Sequence, residues 1–206
     1  MFGALILAGG RSRRIGRSKA LMKLGDKSLL LHMIERLRGF VREIVVVIGK
    51  DDELGEYRHI PTSEVTITRD AVAGRGPLAG ILTGMGEMRS EYTAVLPCDS
   101  PFILKDVLKF LSDRARGADA AIPRWPNGYI EPLHAVYKVS SALSAAENAM
   151  DEGRLAIRNM IEGLGKVVYV GTDEIRRFDP ELSTFFNINS QEDVRAAVKV
   201  LRALDI

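Results

Sequence analysis

A glycine turn followed by a cluster of cations stands near the beginning of the chain. The apolar residues 5–8 run directly into Gly9 and Gly10, and basic side chains follow at Arg11, Arg13, Arg14, Arg17 and Lys19. Glycines let a backbone approach a phosphate closely and aim its N–H groups at it, while cations neutralise the phosphate charge. We therefore expect this segment to bind a polyphosphate, with a basic surface loop after an edge strand as the alternative.

The turn matches neither of two common phosphate-binding motifs. A P-loop requires four residues between its first glycine and Gly-Lys-Ser/Thr, and a dinucleotide fingerprint requires G-x-G-x-x-G. After Gly10 the next glycine is Gly16, which is followed by Arg17, and the lysine comes only at Lys19. The sequence therefore indicates a third kind of phosphate loop.

Asp99 is the candidate magnesium ligand. It follows a predicted apolar strand, residues 92–96, and precedes Ser100-Pro101-Phe102. Mg²⁺ takes one or two protein carboxylates and completes its coordination with substrate phosphates and water. An aspartate is also common as the cap before a helix that starts with proline, and that role is the alternative.

A second glycine-rich turn, residues 74–80, runs into a predicted helix. Its small residues would let a flat base lie against the backbone, whose N–H and C=O groups could read the edge of the base. Close packing of the helix explains the same glycines equally well. Asp70, just before this turn, is a further polar candidate, although a lone aspartate in such a place commonly serves the turn itself.

Length, composition and charge limit the class of protein. The chain has 206 residues, of which 46% are hydrophobic, and this is enough for one substantial domain. Its net charge of +2 argues against general nucleic-acid binding, whereas the local basic cluster suits a small anion. The single cysteine, Cys98, fits a reducing cytoplasm, and no apolar run approaches the roughly 20 residues that span a bilayer. We therefore expect a cytoplasmic protein that binds neither nucleic acid nor membrane.

Strand-like and helix-like segments alternate along the chain. Short apolar, β-branched runs predict strands over residues 4–7, 43–48, 65–68, 92–96, 120–123, 133–137 and 167–170, and a last extended piece over 185–188. Apolar residues at helical spacing predict helices over residues 28–37, 77–88, 105–116, 141–150 and 190–204. Repeated β-α-β units with short connections predict an α/β fold of three layers, in which a mainly parallel, twisted sheet carries helices on both faces.

The polar candidates share one place in this predicted fold. The pair Gly9 and Gly10, Asp70 and Asp99 each follow the carboxyl end of a predicted strand. Open α/β sheets bind ligands in the crevice at those ends. We therefore expect these residues to converge on one crevice, although they are far apart in the sequence.

Taken together, the motifs resemble a known family. They are Leu-Ala-Gly-Gly at 7–10, Arg14-x-Gly16, Lys19, Gly-Pro-Leu-Ala-Gly at 76–80, Pro-Cys-Asp-Ser-Pro-Phe at 97–102, Pro-Leu-His-Ala-Val-Tyr at 132–137, Gly153-Arg154 and Phe-Asn-Ile-Asn at 186–189. In this order they are similar to the molybdenum cofactor guanylyltransferases, the MobA family, over nearly the whole chain. The first loop alone marks only the broad class of nucleotidyltransferases with a Rossmann-like sheet.

The resemblance implies a reaction and its partners. GTP and the phosphate monoester of molybdopterin, carrying molybdenum or tungsten, would give the guanine dinucleotide cofactor and pyrophosphate, with Mg²⁺ as cofactor. Proteins that deliver or receive the pterin are implied as transient partners. The implied fold is nucleotide-diphospho-sugar transferase-like in a single domain, residues 1–206, with a nucleotide-binding half over about 1–115 and an acceptor-binding half over about 116–206.

The resemblance also implies a role for particular residues. Catalysis would fall to Arg14, Lys19 and Asp99, with Asp99 as the metal ligand. The nucleotide would be bound by Leu7, Ala8, Gly9, Gly10, Lys19, Asp70, Gly80 and Asp99. The acceptor would lie near Arg154, Asn187 and Asn189, unless the two asparagines only shape the turn before the last helix, with Asn189 or Ser190 as its cap.

The chemistry of such a transfer explains why the sequence shows no Ser/His/Asp array. The attacking group is already an anionic phosphate oxygen, so in-line positioning and charge neutralisation are sufficient. A cytidylyl or other nucleotidyl transfer to a related pterin, or to a sugar or lipid phosphate, remains an alternative. A nucleotide-binding subunit without catalysis is another.

The chain departs from the family pattern at several positions. Ile15 stands where the family usually has Met, Ser18 where it usually has an acidic residue, and Ser190-Gln191 where Thr-Pro usually follows the second asparagine. His134 lies among apolar residues and is predicted to be a core histidine whose ring nitrogens have hydrogen-bond partners. Trp125 could stack on a pterin or simply pack against the sheet.

Overall fold

The computed structural model describes residues 2–9, 18–60, 65–71 and 76–203. The strands are β1 Gly3–Leu7, β2 Lys23–Leu24, β3 Lys27–Ser28, β4 Ile44–Ile48, β5 Val65–Arg69, β6 Tyr92–Pro97, β7 Ala120–Arg124, β8 Ala135–Lys138 and β9 Val167–Gly171. The α-helices are α1 Leu29–Leu37, α2 Gly76–Glu87, α3 Lys105–Ala115, α4 Val139–Asp151, α5 Ile157–Glu162, α6 Thr172–Ile175 and α7 Gln191–Ala203. Short 3₁₀ turns cover Lys19–Leu21, Leu54–Tyr57 and Ser183–Phe185.

The described strands form a seven-stranded sheet in the order β5-β4-β1-β6-β8-β7-β9, with β2 and β3 as a separate small hairpin. The β1–β4, β1–β6, β4–β5 and β7–β9 pairs are parallel, whereas β8 runs antiparallel to both of its neighbours. The sheet is therefore mainly parallel, as predicted. Its strands come from both sides of residue 115, and the division of the chain into two binding halves stays a prediction.

Helices cover both faces of the sheet, which confirms the predicted three layers. Side chains of β1 alternate between the two faces, so that Ala4 and Ile6 pack on one side and Leu5 on the other. Buried side chains of α1 and α3 cover the first face, and those of α2, α4 and α5 cover the second. A smaller cluster joins α7 to the start of α1.

Two glycines of α2 allow this helix to lie close to the sheet. A Cβ atom on Gly84 would stand 2.2 Å from Cδ1 of Leu5, and one on Gly80 would stand 3.2 Å from Cδ2 of Leu7. Gly84, which lies beyond the glycine-rich turn 74–80, thus serves close helix packing, and the tight approach at Gly80 shows that packing contributes there too. Gly80 brings the backbone of α2 beside the end of β1, where the ligand crevice is expected.

The predicted helices and strands agree with the structure to within about two residues. The extended piece predicted over 185–188 begins one residue later, because Phe185 ends a 3₁₀ turn, and the N–H of Ile188 donates to the carbonyl of Asp99 at 2.8 Å. That hydrogen bond holds the segment across the end of β6 instead of along a sheet edge. The short helices α5 and α6 and the β2–β3 hairpin were not predicted, because they are too short to show a period.

Across the described ranges, no helix combines the length and the apolar character needed to cross a membrane.

Candidate active site

A cleft of about 540 Å³ opens at the carboxyl ends of β1, β4, β5 and β6. It is lined by Leu7, Gly9, Lys19, Val47, Gly49, Lys50, Asp51, Asp52, Asp70, Gly76, Pro77, Gly80, Pro97, Cys98, Asp99 and Leu133. The expected convergence of residues 9, 70 and 99 on one crevice is therefore found. Neighbouring parallel strands end at the same edge of the sheet, which is why residues so distant in sequence meet here.

Backbone hydrogen bonds between neighbouring strands extend beyond the strand ends and hold the floor of the cleft. The N–H of Ala8 donates to the carbonyl of Val47 at 2.8 Å, and the N–H of Cys98 donates to that of Leu7 at 3.1 Å. The N–H of Asp70 donates to the carbonyl of Ile48 at 2.8 Å. The positions of the cleft residues are thus set by the sheet itself.

Lys19 and Asp99 form an ion pair inside the cleft. The ammonium Nζ of Lys19 lies 3.2 Å from Oδ2 of Asp99, and their side chains are 27% and 18% exposed. Lys19 also donates to the side-chain oxygen Oδ1 of Asn189. One cation therefore joins a residue predicted to bind the nucleotide to a residue predicted to bind the acceptor.

The segment that carries Asn187 and Asn189 lies beside residues Asp99 and Ser100, which follow β6. Besides the hydrogen bond from Ile188 to Asp99, the hydroxyl of Ser100 donates to Oδ1 of Asn187 at 2.6 Å. The side chain of Asn187 is thus tied to the loop after β6, while that of Asn189 reaches Lys19 in the cleft. The two asparagines consequently have different surroundings.

Ser190, and not Asn189, is the cap of α7. Its Oγ accepts the N–H of Asp193 at 3.1 Å, and Oδ2 of Asp193 accepts the N–H groups of Asn189 and Ser190 at 2.8 Å each. This reciprocal arrangement is a capping box. The hydrogen bonds from the Asn189 N–H and the Ser190 side chain keep the pKa of Asp193 below its usual value. Asn189 is therefore not needed as the cap, and its side chain is available to the cleft.

Arg154 is placed apart from the cleft-lining residues. It lies between α4 and α5, where its guanidinium contacts the carboxylates of Glu152 at 3.2 Å and Glu162 at 2.5 Å. All three side chains are about half exposed. None of the contacts found for Arg154 among the described residues involves Asn187 or Asn189, and its predicted contact with the acceptor stays a prediction.

The other predicted nucleotide-binding residues divide into three groups. Leu7, Gly9 and Gly80 line the cleft. The side chain of Ala8 is fully buried in the core on the face of the sheet that α1 and α3 cover, so that only its backbone can contact a ligand. Gly10 and Arg14 lie outside the described residues, as do the other arginines of the first loop.

The end of β4 contributes cleft residues that the sequence analysis missed. Gly49, Lys50, Asp51 and Asp52 follow β4 directly and line the cleft beside Asp70. The rule that singled out Asp70 and Asp99 applies equally to this strand end, so a signal was present. Leu133 also lines the cleft from the loop before β8, although no chemical signal in the sequence marks it.

His134 and Trp125 pack beside the cleft rather than line it. His134 is 2% exposed, as expected of a core histidine, but neither ring nitrogen has a hydrogen-bond partner among the described residues. Its Nδ1 lies 3.7 Å from Oε2 of Glu131, whose Oε1 accepts the indole N–H of Trp125 at 2.8 Å. Trp125 also packs edge-on against Phe185. Both residues therefore pack in the protein, but the prediction that the His134 ring nitrogens are hydrogen-bonded is wrong for the described residues.

Cys98 lines the cleft, but its thiol is in an environment that disfavours the reactive thiolate. Its thiol is buried, and this burial raises its pKa to about 12. The reactive thiolate is thus negligible at neutral pH. Burial therefore makes Cys98 a poor nucleophile.

The donor set in the cleft suits Mg²⁺ only in company with a substrate. Across residues 2–9, 18–60, 65–71 and 76–203, no group of three or more His, Cys, Asp or Glu side chains is placed to hold a metal ion. Asp99 offers one partly exposed carboxylate beside a cation that could neutralise phosphate. This is the donor set of a Mg²⁺ that keeps water and phosphate oxygens as its remaining ligands.

Comparison with known proteins identifies the family. The model of the MobA-like NTP transferase domain matches residues 4–167. The probable molybdenum cofactor guanylyltransferase of Methanosarcina mazei is 38% identical over 196 residues, 93% of this chain and 87% of that protein. The one from Methanosarcina acetivorans is 37% identical over 95% of this chain and 89% of its own length.

Solved structures agree with this result. The molybdopterin-guanine dinucleotide biosynthesis protein A of Archaeoglobus fulgidus superposes with a TM-score of 0.80 at 32% identity, covering 98% of this chain and all of that one. The 2-C-methyl-D-erythritol 4-phosphate cytidylyltransferase of Thermus thermophilus shares the fold at a TM-score of 0.71 and 15% identity, covering 98% of this chain and 100% of that one. With a family model over most of its length and relatives above 30% identity, the chain belongs to the MobA-like NTP transferase family.

Proposed function

We propose that the chain transfers GMP from GTP to the phosphate of metal-loaded molybdopterin, giving the guanine dinucleotide cofactor and pyrophosphate. The names of relatives that match it over nearly their whole length support this function. The observation that carries it is the contact of Lys19 with both Asp99 and Asn189 at the end of the sheet. A group that joins the two sides of the cleft is suited to the point where a nucleotide and an acceptor react.

The proposed transfer is a direct displacement at the α-phosphorus of GTP. An oxygen of the acceptor phosphate forms a bond to that phosphorus, and the bond from the same phosphorus to the bridging oxygen of the β-phosphate breaks, so that pyrophosphate leaves. The acceptor oxygen is already an anion, so no side chain has to remove a proton from it. The protein has to align the two phosphates and neutralise their charge.

Lys19 and Asp99 fit these two tasks. In the absence of substrate they neutralise each other, and an arriving triphosphate offers the ammonium of Lys19 a stronger anionic partner. The carboxylate of Asp99 would hold Mg²⁺, which would supply positive charge to neutralise phosphate. Asn189 loses its hydrogen bond to Lys19 in the same exchange and can offer its amide to the acceptor.

Guanine selectivity is assigned to the backbone around the end of β1 and the start of α2. Gly9 and Gly80 line the cleft there and allow close approach to a flat base. Guanine carries N1–H and N2–H₂ donors beside its O6 acceptor, and a base that lacks this pattern leaves buried polar groups unpaired, at about 1–3 kcal/mol each.

The test combines nucleotide binding with turnover. Calorimetry should show that GTP binds more tightly than ATP or CTP, and purified protein should release pyrophosphate from GTP only when metal-loaded molybdopterin and Mg²⁺ are present. Equal affinity for the three nucleotides would refute the guanine assignment. Binding of GTP without any pyrophosphate release would favour a nucleotide-binding subunit.

The proposal extends to the setting of the reaction. The product has to pass to proteins that use the cofactor, so we expect transient contact with proteins that deliver or receive the pterin. The single cysteine, Cys98, agrees with work in a reducing cytoplasm.

A further inference from the structure

A chain of buried hydrogen bonds connects the residue before Lys19 to the end of β4. Ser18 is 5% exposed, Tyr57 1% and Asp52 7%. The hydroxyl oxygens of Ser18 and Tyr57 lie 3.0 Å apart, and that of Tyr57 lies 3.1 Å from Oδ2 of Asp52. The same Oδ2 accepts the N–H of Gly49 at 3.0 Å. We name Ser18, Tyr57 and Asp52 the hydroxyl–carboxylate relay.

The direction of the hydrogen bonds in the relay is determined by its chemistry. A carboxylate only accepts, so the single proton of Tyr57 is donated to Asp52, and Tyr57 must accept the proton of Ser18. Burial raises the pKa of the Tyr57 hydroxyl, so this group keeps its proton at neutral pH. The order is therefore Ser18 to Tyr57 to Asp52, and Tyr57 is the one member that serves both neighbours.

Ser18 stands where a serine ordinarily caps a helix, but its side chain does not do so. It opens the 3₁₀ turn Lys19–Leu21 and makes no side-chain hydrogen bond to that turn. Its hydroxyl is instead aimed at Tyr57, with a longer contact of 3.4 Å to the carbonyl of Ala8. The relay therefore holds Ser18, after the first loop, and the contact of Ser18 with Ala8 joins it to the residue that follows β1, before that loop.

The far end of the relay is itself part of the cleft. Asp52 and Gly49 both line the cleft, and the backbone carbonyl of Asp52 accepts the side chain of Arg69 at 3.2 Å. The relay is thus anchored on β4 and β5 and reaches Lys19 through the adjacent Ser18. Misplacement of a charged group by a fraction of an ångström weakens its contact with a phosphate.

We propose that Tyr57 and Asp52 are positioning residues, which hold the Ser18–Lys19 step so that Lys19 meets the triphosphate. This inference rests on the proposed function only in taking a triphosphate as the ligand of the cleft. Because the relay acts through Lys19, which meets the triphosphate, its contribution should be the same for every nucleotide that the cleft accepts.

Tyr57→Phe tests the relay, because it removes the shared hydroxyl and keeps the aromatic ring. The variant should raise the dissociation constants of GTP, CTP and inorganic tripolyphosphate by the same factor, about tenfold, since a hydrogen bond to a charged group is lost. Ser18→Ala should raise them about threefold. The double variant should match Tyr57→Phe alone, because without Tyr57 the Ser18 hydroxyl has lost its acceptor in the relay.

Tyr92→Phe is the matched control. The hydroxyl of Tyr92 also makes two hydrogen bonds, to the carbonyl of Ala118 at 3.2 Å and from the N–H of Gly117 at 3.3 Å, but at the opposite end of β6. This variant should lower the melting temperature and leave all three dissociation constants unchanged.

The outcomes separate this inference from the proposed function. The inference would be overturned if Tyr57→Phe bound the ligands as tightly as the wild-type protein does and only melted at a lower temperature. The relay would then have a structural role alone. Full additivity of the Ser18→Ala and Tyr57→Phe effects would overturn it as well. Equal wild-type affinity for GTP and CTP contradicts the guanine assignment alone, provided that Tyr57→Phe weakens both. A wild-type protein that binds none of the three ligands contradicts both proposals.

Discussion

The two sides of the cleft are built differently. On the amino-terminal side, Gly9, Asp70 and Asp99 each come directly after a strand of a parallel group, so the polarity of the sheet alone brings them together. On the carboxyl-terminal side, β8 runs antiparallel and its carboxyl end points away from the cleft. Among the described residues, Asn189 reaches Lys19 from that side, at the end of a long return segment. Strand polarity therefore locates the predicted nucleotide side of the cleft but not the predicted acceptor side.

The largest expected effect concerns Asp99, where both sides meet. Asp99→Ala should lower pyrophosphate release by on the order of 10³-fold or more and remove the Mg²⁺ dependence of GTP binding, because the only predicted metal ligand is lost. Circular dichroism and a melting curve should show an intact fold. Turnover near the wild-type rate would end the assignment of Asp99 as metal ligand.

Lys19 should come next, because its charge is needed on the nucleotide side. Lys19→Ala should cost about 2–4 kcal/mol in the transition state through loss of charge-assisted contacts to phosphate. The ratio kcat/KM for GTP measures this loss. Arg14→Ala should have a smaller effect. If neither Lys19→Ala nor Arg14→Ala changed GTP affinity or rate, the first loop would be a surface feature.

Asn189 and Asn187 test whether the return segment belongs to the cleft. Asn189→Ala should raise the dissociation constants of both substrates a few-fold. The variant removes the side chain that holds Lys19, and the lost hydrogen bond is worth about 1 kcal/mol. Asn187→Ala should weaken binding of the acceptor only, because the amide oxygen of Asn187 accepts a hydrogen bond from Ser100 and not from Lys19. Titrations with GTP and with the pterin measure the two effects. Equal losses for both variants, in step with a lowered melting temperature, would mean that the asparagines only shape the turn.

Arg154 should show the smallest effect, since it lies apart from the cleft lining and its exposed ion pairs contribute little to stability. Arg154→Ala should raise the KM for the acceptor about threefold and leave GTP affinity unchanged, through loss of one long-range positive charge. Glu162→Gln removes one of its carboxylate partners and should change the acceptor KM in the opposite direction. An acceptor KM unaffected by either variant would remove Arg154 from the acceptor side.

Much of the fold and part of the site followed from local patterns. The β-branched runs and the helical spacing predicted most elements, because buried parallel strands and amphipathic helices leave strong periodic signals. The same patterns placed Asp70 and Asp99 at strand ends, and the rule for open α/β sheets then predicted the cleft. The end of β4, with Gly49 and Asp52, obeys that rule too and could have been found in the same way.

The sequence by itself determined the α/β class, the family and the convergence of Gly9, Asp70 and Asp99 on one cleft, since each depends on short motifs and on strand polarity. Only the tertiary structure decided which side chains meet across long separations. In the structure Lys19 contacts Asn189, Tyr57 links Ser18 to Asp52, and Arg154 forms ion pairs with Glu152 and Glu162. The physical reason is that a side-chain hydrogen bond depends on the approach of two segments in space, and no local periodicity records that approach.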